Sequence, residues 1–246
     1  MGEIRIMTYE IYKSSERGHV EAGWLKSRHS FSFGEYYDPK KMGFHSLRVI
    51  NEDWIQAHSG FPMHPHQDME IFTYVIEGAV SHKDSTGAEG DIKAGEVQLM
   101  RAGTGIVHSE MNRGDSDLHL YQIWITPDER GLKPGHEQIS INEALNSGEW
   151  VEVLKPAASE GAAGALEIHQ NVFVSSKRMK EGEEGSYLRS GSKAIWVQMV
   201  KGAANIDVDG EQVALSQGDG LAMNEAEAFK YSTTKDAEIL VFAFGK

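Results

Sequence analysis

Cysteine does not occur in the 246 residues. A chain without thiols has no disulfide framework, no thiolate metal ligand and no cysteine nucleophile. Long apolar runs are missing as well. Nothing approaches the roughly 20 residues that span a bilayer, and the opening M-G-E-I-R-I-M-T-Y-E carries acidic side chains and no secretory h-region. Met1-Gly2 begins like an acylation signal, but residue 6 is Ile where a hydroxyl is needed. These features predict a cytoplasmic protein that does not associate with membranes. Basic clusters are the third lack: 24 Lys and Arg stand against 37 Asp and Glu, a formal charge of -13. Nucleic-acid affinity depends on clustered cations that displace counterions, so the balance argues against direct binding to a polyanion.

What remains is ordinary for a soluble globular chain, with 40% hydrophobic and 25% charged residues. The length suits one large domain or two small ones and is ample for a core. The stretch from Gly60 to Asn112 organises the rest. It opens with G-F-P-M-H-P-H-Q-D-M-E and closes with R-A-G-T-G-I-V-H-S-E-M-N. His64 and His66 are one residue apart, and so are His108 and Glu110. Alternate side chains of a strand share a face, so each pair can aim two groups into one cavity. A lone strand histidine is ordinarily a surface residue or a hydrogen-bonded core residue. Two such pairs in glycine-flanked β-like sequence predict a metal site instead, with three imidazoles and a carboxylate suited to one divalent first-row transition ion.

Around these pairs the chain reads as short strands punctuated by turns. Residues 3–12 alternate as an opening strand, while 13–44, rich in Gly, Ser, His and aromatics, read as irregular chain over a sheet. In that segment Phe31, Phe33, Tyr36 and Tyr37 are expected to cover core. Strands are expected over 45–56, 70–77, 79–83, 97–100 and 118–126, with turns at Asp84-Ser85-Thr86-Gly87 and Lys93-Ala94-Gly95-Glu96. Residues 127–148 form a connector containing one helical turn near Ile141 to Leu145. Further strands follow over 165–175, 194–200 and 239–244. Short strands at this spacing mean a sandwich or barrel rather than a parallel sheet interleaved with helices.

The two motifs resemble those of the cupin superfamily, roughly H-x-H-x3-E-x6-G and G-x5-P-x-G-x2-H-x3-N. This chain supplies His64, His66, Glu70 and Gly78, then Gly95, Gly103, His108 and Asn112. It departs in having seven residues between Glu70 and Gly78, Arg101 at the proline position, and four residues between Gly103 and His108. G-W-L-K-S-R-H-S-F-S-F-G-E-Y-Y-D-P-K-K-M-G-F-H-S-L-R-V-I-N-E-D upstream and L-H-L-Y-Q-I-W-I-T-P downstream resemble bacterial members of the pirin branch. That resemblance implies an all-β bicupin, two jelly-roll-like β-barrels in one chain. It implies Glu110 as fourth ligand beside His64, His66 and His108, with Glu70 outside the coordination sphere. An internal repeat supports the duplication: V-I-E-G-A at 75–79 matches M-V-K-G-A at 199–203, and Gly95-Glu96 matches Gly218-Asp219. With these glycines aligned, positions 64 and 66 fall on Leu188 and Ser190, and 108 and 110 on Tyr231 and Thr233, none a usual ligand. The expected domains are 1–137, carrying the metal, and 138–246, a degenerate barrel without ligands.

The resemblance implies 2,3-dioxygenation of flavonols such as quercetin, a small planar aromatic substrate, with O2 and release of carbon monoxide. Glu110 would act as base as well as ligand, the alternative being a ligand alone. Iron(II) is the first expectation for the ion, although Ni, Co, Mn, Cu and Zn also tolerate imidazole and carboxylate donors. The rival expectation is a non-enzymatic, metal-dependent regulatory module with a protein partner. Phe61, Met63, Met100 and Met111 flank the ligands, either as walls of a pocket for a planar aromatic molecule or, the preferred reading, as barrel core. His58, His82, His119 and Gln122 are expected in surface or core roles.

Overall fold

A computed structural model describes residues 8–157, 159 and 163–245. Its contacts divide the chain into two compact units. One comprises residues 17–143 with 166–170, the other residues 8–16, 144–165 and 171–245. Among the described residues the single α-helix is Asn142–Leu145 and nearly everything else regular is strand, so the all-β expectation holds.

The first unit has two antiparallel sheets. The larger runs Gly135–Ser140, Glu96–Arg101, Glu70–Glu77, Leu118–Ile125, Leu47–Ile55, Leu25–His29, Gly18–Glu21. The smaller runs Gly60–His66, Ile106–Met111, Ala79–Asp84, Glu89–Lys93. Its core draws on both, since Ile55, Val75, Leu118 and Leu120 of the larger sheet meet Val80 and Ile92 of the smaller in one buried cluster. Each such aliphatic side chain removed from water contributes roughly 1.5–3 kcal/mol.

The second unit repeats the order. Gly220–Asn224, Ala194–Lys201, Ala237–Phe244 and Val172–Met179 lie side by side, and Glu184–Leu188, Ala228–Thr233, Ala203–Val208 and Glu211–Ser216 form its four-stranded sheet. The small sheet shows the half-buried alternation of a solvent-facing sheet, as in Ala203–Val208, whereas Ala237–Phe244 is buried at every position and apolar throughout except Glu238. The repeated strand order makes the chain the two-barrel protein that the motif pattern implied.

Three elements differ from expectation. Residues 18–29 are not irregular chain: Gly18–Glu21 and Leu25–His29 form a hairpin that extends the large sheet against Leu47–Ile55. The burial alternates in Leu25–His29, with Ser27 and His29 turned inward, so the inward residues are polar and the hydrophobic period is hidden. The strand expected over 165–175 is two, Leu166–Ile168 and Val172–Met179. Between them the His169 N–H is held by Glu70 Oε2 at 2.8 Å, and its carbonyl receives the Asp128 N–H at 2.8 Å. The opening strand, described over Thr8–Tyr12, pairs with Gly220–Asn224 of the second unit; residues 3–7 of the expected strand lie outside the described residues.

Candidate metal centre

The strand pair Gly60–His66 and Ile106–Met111 carries the site. His108 stands directly opposite His64, and Ile106 opposite His66. Between His108 and Glu110 the register against the first strand slips, so that Glu110 faces Phe61. The extra residue of this bulge lies in Gly60–His66, so Ile106–Met111 itself runs regularly and keeps His108 and Glu110 on one face. On its other side Ile106–Met111 pairs with Ala79–Asp84, where Glu110 faces His82 and His108 faces Asp84.

The three predicted imidazoles converge. Their ring centroids are 4.4 Å apart for His64 and His108, 4.8 Å for His64 and His66, and 4.9 Å for His66 and His108. One nitrogen from each lies within 4.8 Å of the others. Glu110 is grouped by the same distance with His108 and His82 rather than with all three imidazoles. His108 therefore belongs to both trios.

The donor atoms fit a cation. His64 Nδ1 donates to the Pro62 carbonyl at 2.8 Å, which leaves its Nε2 as a lone pair. His108 Nε2 is buried with no hydrogen-bond partner, a costly state for a polar atom unless a ligand takes it. Burial, reinforced by the neighbouring imidazoles, pushes the pKa of His66 down to about 4 and that of His108 down to about 2. Both rings are thus neutral, the form in which imidazole ligates. The His66 ring also meets the Trp124 indole edge-on, with centroids 4.9 Å apart.

Glu110 is buried, and that burial pushes its carboxyl above the usual range, against the opposing effect of a hydrogen bond from Gln122. Gln122 Nε2 donates to Glu110 Oε2 at 2.8 Å, and Gln122 Oε1 accepts from Thr73 Oγ1 at 3.1 Å. Burial, with a smaller contribution from the Glu110 carboxylate, pushes the pKa of Asp53 up to about 7. Ser27 Oγ donates to it.

A cavity of about 200 Å³ opens on these groups, lined by His64, His66, Glu110, Asn51, Asp53 and Gln122 and walled by Phe33, Phe61 and Trp124. Phe33 is therefore cavity wall rather than core cover. Phe61 is wall too, while Met100 is buried with Ile71, Ala102 and Ile106, and Met63 is 53% exposed. Asn51, Asp53 and Trp124 escaped sequence reasoning. The signal was present: Asn51-x-Asp53 and Gln122-x-Trp124 are i, i+2 pairs within apolar runs, and Gln122 faces Asn51 across the ladder. Polar side chains on the inward face of a central strand mark a lined cavity.

Glu70, outside the coordination sphere by expectation, accepts from Arg101 Nε at 3.3 Å and the His169 N–H. His119 stacks on Trp54 and bonds Glu52 at 3.0 Å, and His58 lies exposed near Asp115. Gln122 and His82, expected in surface or core roles, touch Glu110 and His108 respectively.

Among its described residues the second unit gathers no such group. Strand pairing, anchored on the hairpin that follows Gly78 and Gly202, makes Tyr187, Arg189, Phe229 and Tyr231 the counterparts of His64, His66, His108 and Glu110. This differs by one or two residues from the glycine-based alignment because the turns leading into these strands differ in length. Tyr187 and Phe229 stack with centroids 5.5 Å apart, and Trp150 packs edge-on against Tyr187 at 4.8 Å. An aromatic cluster fills the space that imidazoles and a cavity hold in the first unit.

Two antiparallel barrels, one with converging imidazoles and one packed with aromatics, define a bicupin with a metal-type centre in its first half. Comparison with known proteins agrees. The Pirin family model matches residues 11–125, and the model for a quercetinase C-terminal cupin domain matches residues 157–244. A protein of Escherichia coli O157:H7 named quercetin 2,3-dioxygenase is 44% identical over 231 residues, 94% of this chain and 96% of that one. A pirin-like protein of Caulobacter vibrioides is 36% identical, covering 91% of this chain and 94% of its own. The crystal structure of a bacterial pirin from Escherichia coli in complex with nickel(II) matches with a TM-score of 0.88 at 42% identity, covering 97% and 99% of the two chains. The chain belongs to the pirin family.

Proposed function

We propose that this protein is a metal-dependent 2,3-dioxygenase of flavonols such as quercetin, opening the central ring with O2 and releasing carbon monoxide. The observation that carries the reading is the bare, buried Nε2 of His108 beside His64 and His66, at the edge of an aromatic-walled cavity that also holds Glu110. Relatives that share over nine-tenths of the chain bear the same activity in their names.

His64, His66, His108 and Glu110 would hold the ion, iron(II) in our assignment, with nickel(II) next because a similar pirin binds it. A divalent ion there would supply a Lewis acid. The chain's own residues do the rest. Phe33, Phe61 and Trp124 offer flat apolar walls to a planar ring system and keep water away. Glu110 takes the proton of the flavonol 3-hydroxyl, and Gln122 fixes its orientation.

Elemental analysis of the purified protein identifies the ion. Metal-stripped samples reloaded separately with Fe(II), Ni(II), Co(II), Mn(II) and Cu(II) are then given quercetin under air. The expected result is loss of flavonol absorbance with matching O2 uptake. No loss with any metal returns the protein to the regulatory-module reading, and product without O2 uptake makes it an isomerase or hydrolase.

A further inference from the structure

Behind the three-imidazole centre lies a chain of buried polar groups that the proposed reaction does not use. His82 is buried in the strand Ala79–Asp84. Its Nε2 is 2.8 Å from Asp84 Oδ2, and its Nδ1 faces His108 Nδ1 at 3.5 Å and Gln98 Nε2 at 3.4 Å. The other oxygen of Asp84 accepts from Thr86 N at 2.8 Å, Thr86 Oγ1 at 2.6 Å and Ala88 N at 3.3 Å. The His82 ring stacks on His136 at 4.6 Å, and His136 Nε2 donates to Gln98 Oε1 at 3.0 Å.

These contacts leave one consistent set of protons. A carboxylate only accepts, so His82 carries its proton on Nε2 and donates it to Asp84. In the neutral ring His82 Nδ1 is then a lone pair, and the amide of Gln98, its oxygen turned toward His136, points Nε2 at it as well. Two lone pairs cannot face one another at 3.5 Å without repulsion, so His108 must carry its proton on Nδ1. His108 Nε2 is left bare, and it is the atom buried without a partner toward His64 and His66. Both nitrogens of His82 are engaged, so the trio His82, His108 and Glu110 is a hydrogen-bonded support rather than a second cation site.

We propose that Asp84, acting through His82, is a positioning residue that locks His108 in the tautomer able to ligate, and thereby sets the affinity of the centre for its cation. The proposal rests on His64, His66 and His108 being the metal centre.

The test uses the full chain with its histidines labelled in nitrogen-15. In metal-free protein near pH 7.5, long-range proton–nitrogen correlation should show His108 Nε2 unprotonated and Nδ1 protonated. A protonated Nε2 overturns the proposal without any variant. Asp84→Asn keeps the side-chain shape. Its oxygen should remain with the three donors from Thr86 and Ala88, which turns the amide N–H toward His82 Nε2 and drives the His82 proton to Nδ1. His108 should then protonate on Nε2, and nickel(II) affinity, read by chelator competition, should fall 10- to 100-fold with an unchanged strand fingerprint. His82→Phe keeps a ring on His136 and should also weaken binding. Nickel(II) affinities of both variants within twofold of the wild type overturn the proposal and leave the centre standing. Failure of the wild type to bind nickel(II) overturns the centre and the proposal with it.

Discussion

His108 stands opposite His64 across two antiparallel strands with their rings 4.4 Å apart, and the same two positions in the second barrel hold Phe229 and Tyr187. One ladder geometry, repeated in one chain, thus holds a pair of imidazoles beside a cavity in the first copy and a pair of packed rings in the second. The difference is chemical, since the backbone brings the side chains together in both.

Removal of the shared ligand should empty the centre. His108→Ala is expected to reduce bound metal from about one per chain to near zero, because two imidazoles and a carboxylate hold a labile divalent ion poorly. His64→Ala and His66→Ala should do likewise. Elemental analysis after gel filtration reads the stoichiometry.

The corresponding change in the second barrel should act on stability alone. Phe229→Ala removes a buried ring from the cluster of Tyr187, Tyr231 and Trp150, at a cost of roughly 3–5 kcal/mol. Metal content should stay at the wild-type value. Denaturant unfolding and elemental analysis on the same sample separate the two effects.

Glu110→Gln tests the base. The amide keeps the size of the carboxyl and loses its capacity to take a proton, so quercetin turnover should fall roughly 100-fold or more. If the variant keeps its metal and turns over at the wild-type rate, Glu110 is not the base.

Asp53 should leave a signature in the pH dependence of stability. Its folded pKa of about 7 exceeds the unfolded value near 3.9, and burial is the largest cause. Between these values the folded state binds more protons, so this group's contribution is full below about pH 4 and is lost as pH rises through 7. In metal-free protein Asp53→Asn should raise the melting temperature by several degrees at pH 8 and change it little near pH 4. An equal shift at both values contradicts the assignment.

Gly103 should not tolerate a side chain. Its φ is 48°, and an added Cβ would sit 1.9 Å from the Leu132 carbonyl oxygen, which is backbone and cannot rotate away. Its own carbonyl receives the Asp68 N–H at 3.0 Å in the loop that leads to His108. Gly103→Ala is expected to cost more than about 2 kcal/mol and to loosen metal binding, both measurable in one chelator-linked melt.

The alternation of His64 with His66 and of His108 with Glu110 was readable because strand side chains have a period of two, a property of local backbone geometry. The same period, with turn residues at short intervals, announced the β class, and the repeated V-I-E-G-A pattern announced the duplication. The hairpin over residues 18–29 stayed hidden because its inward residues, Ser27 and His29, are polar, so hydrophobicity did not mark the buried face. The role of Phe33 stayed hidden because a cavity wall and a core cover have the same composition.

Linear order by itself determined the candidate donor types, their spacing and the all-β class, since each depends on neighbours a few residues apart, and it showed the doubling of the barrel as a repeated local pattern. Only the folded molecule decided that Thr8–Tyr12 pairs with Gly220–Asn224, that Asn51 and Asp53 reach the cavity, that a bulge in Gly60–His66 sets Phe61 opposite Glu110, and that Asp84 stands behind His82 and His108. These relationships join residues tens to hundreds of positions apart, or hang on a one-residue slip in register. Local propensity carries no record of either, because both are settled by which buried surfaces and hydrogen bonds can be satisfied together.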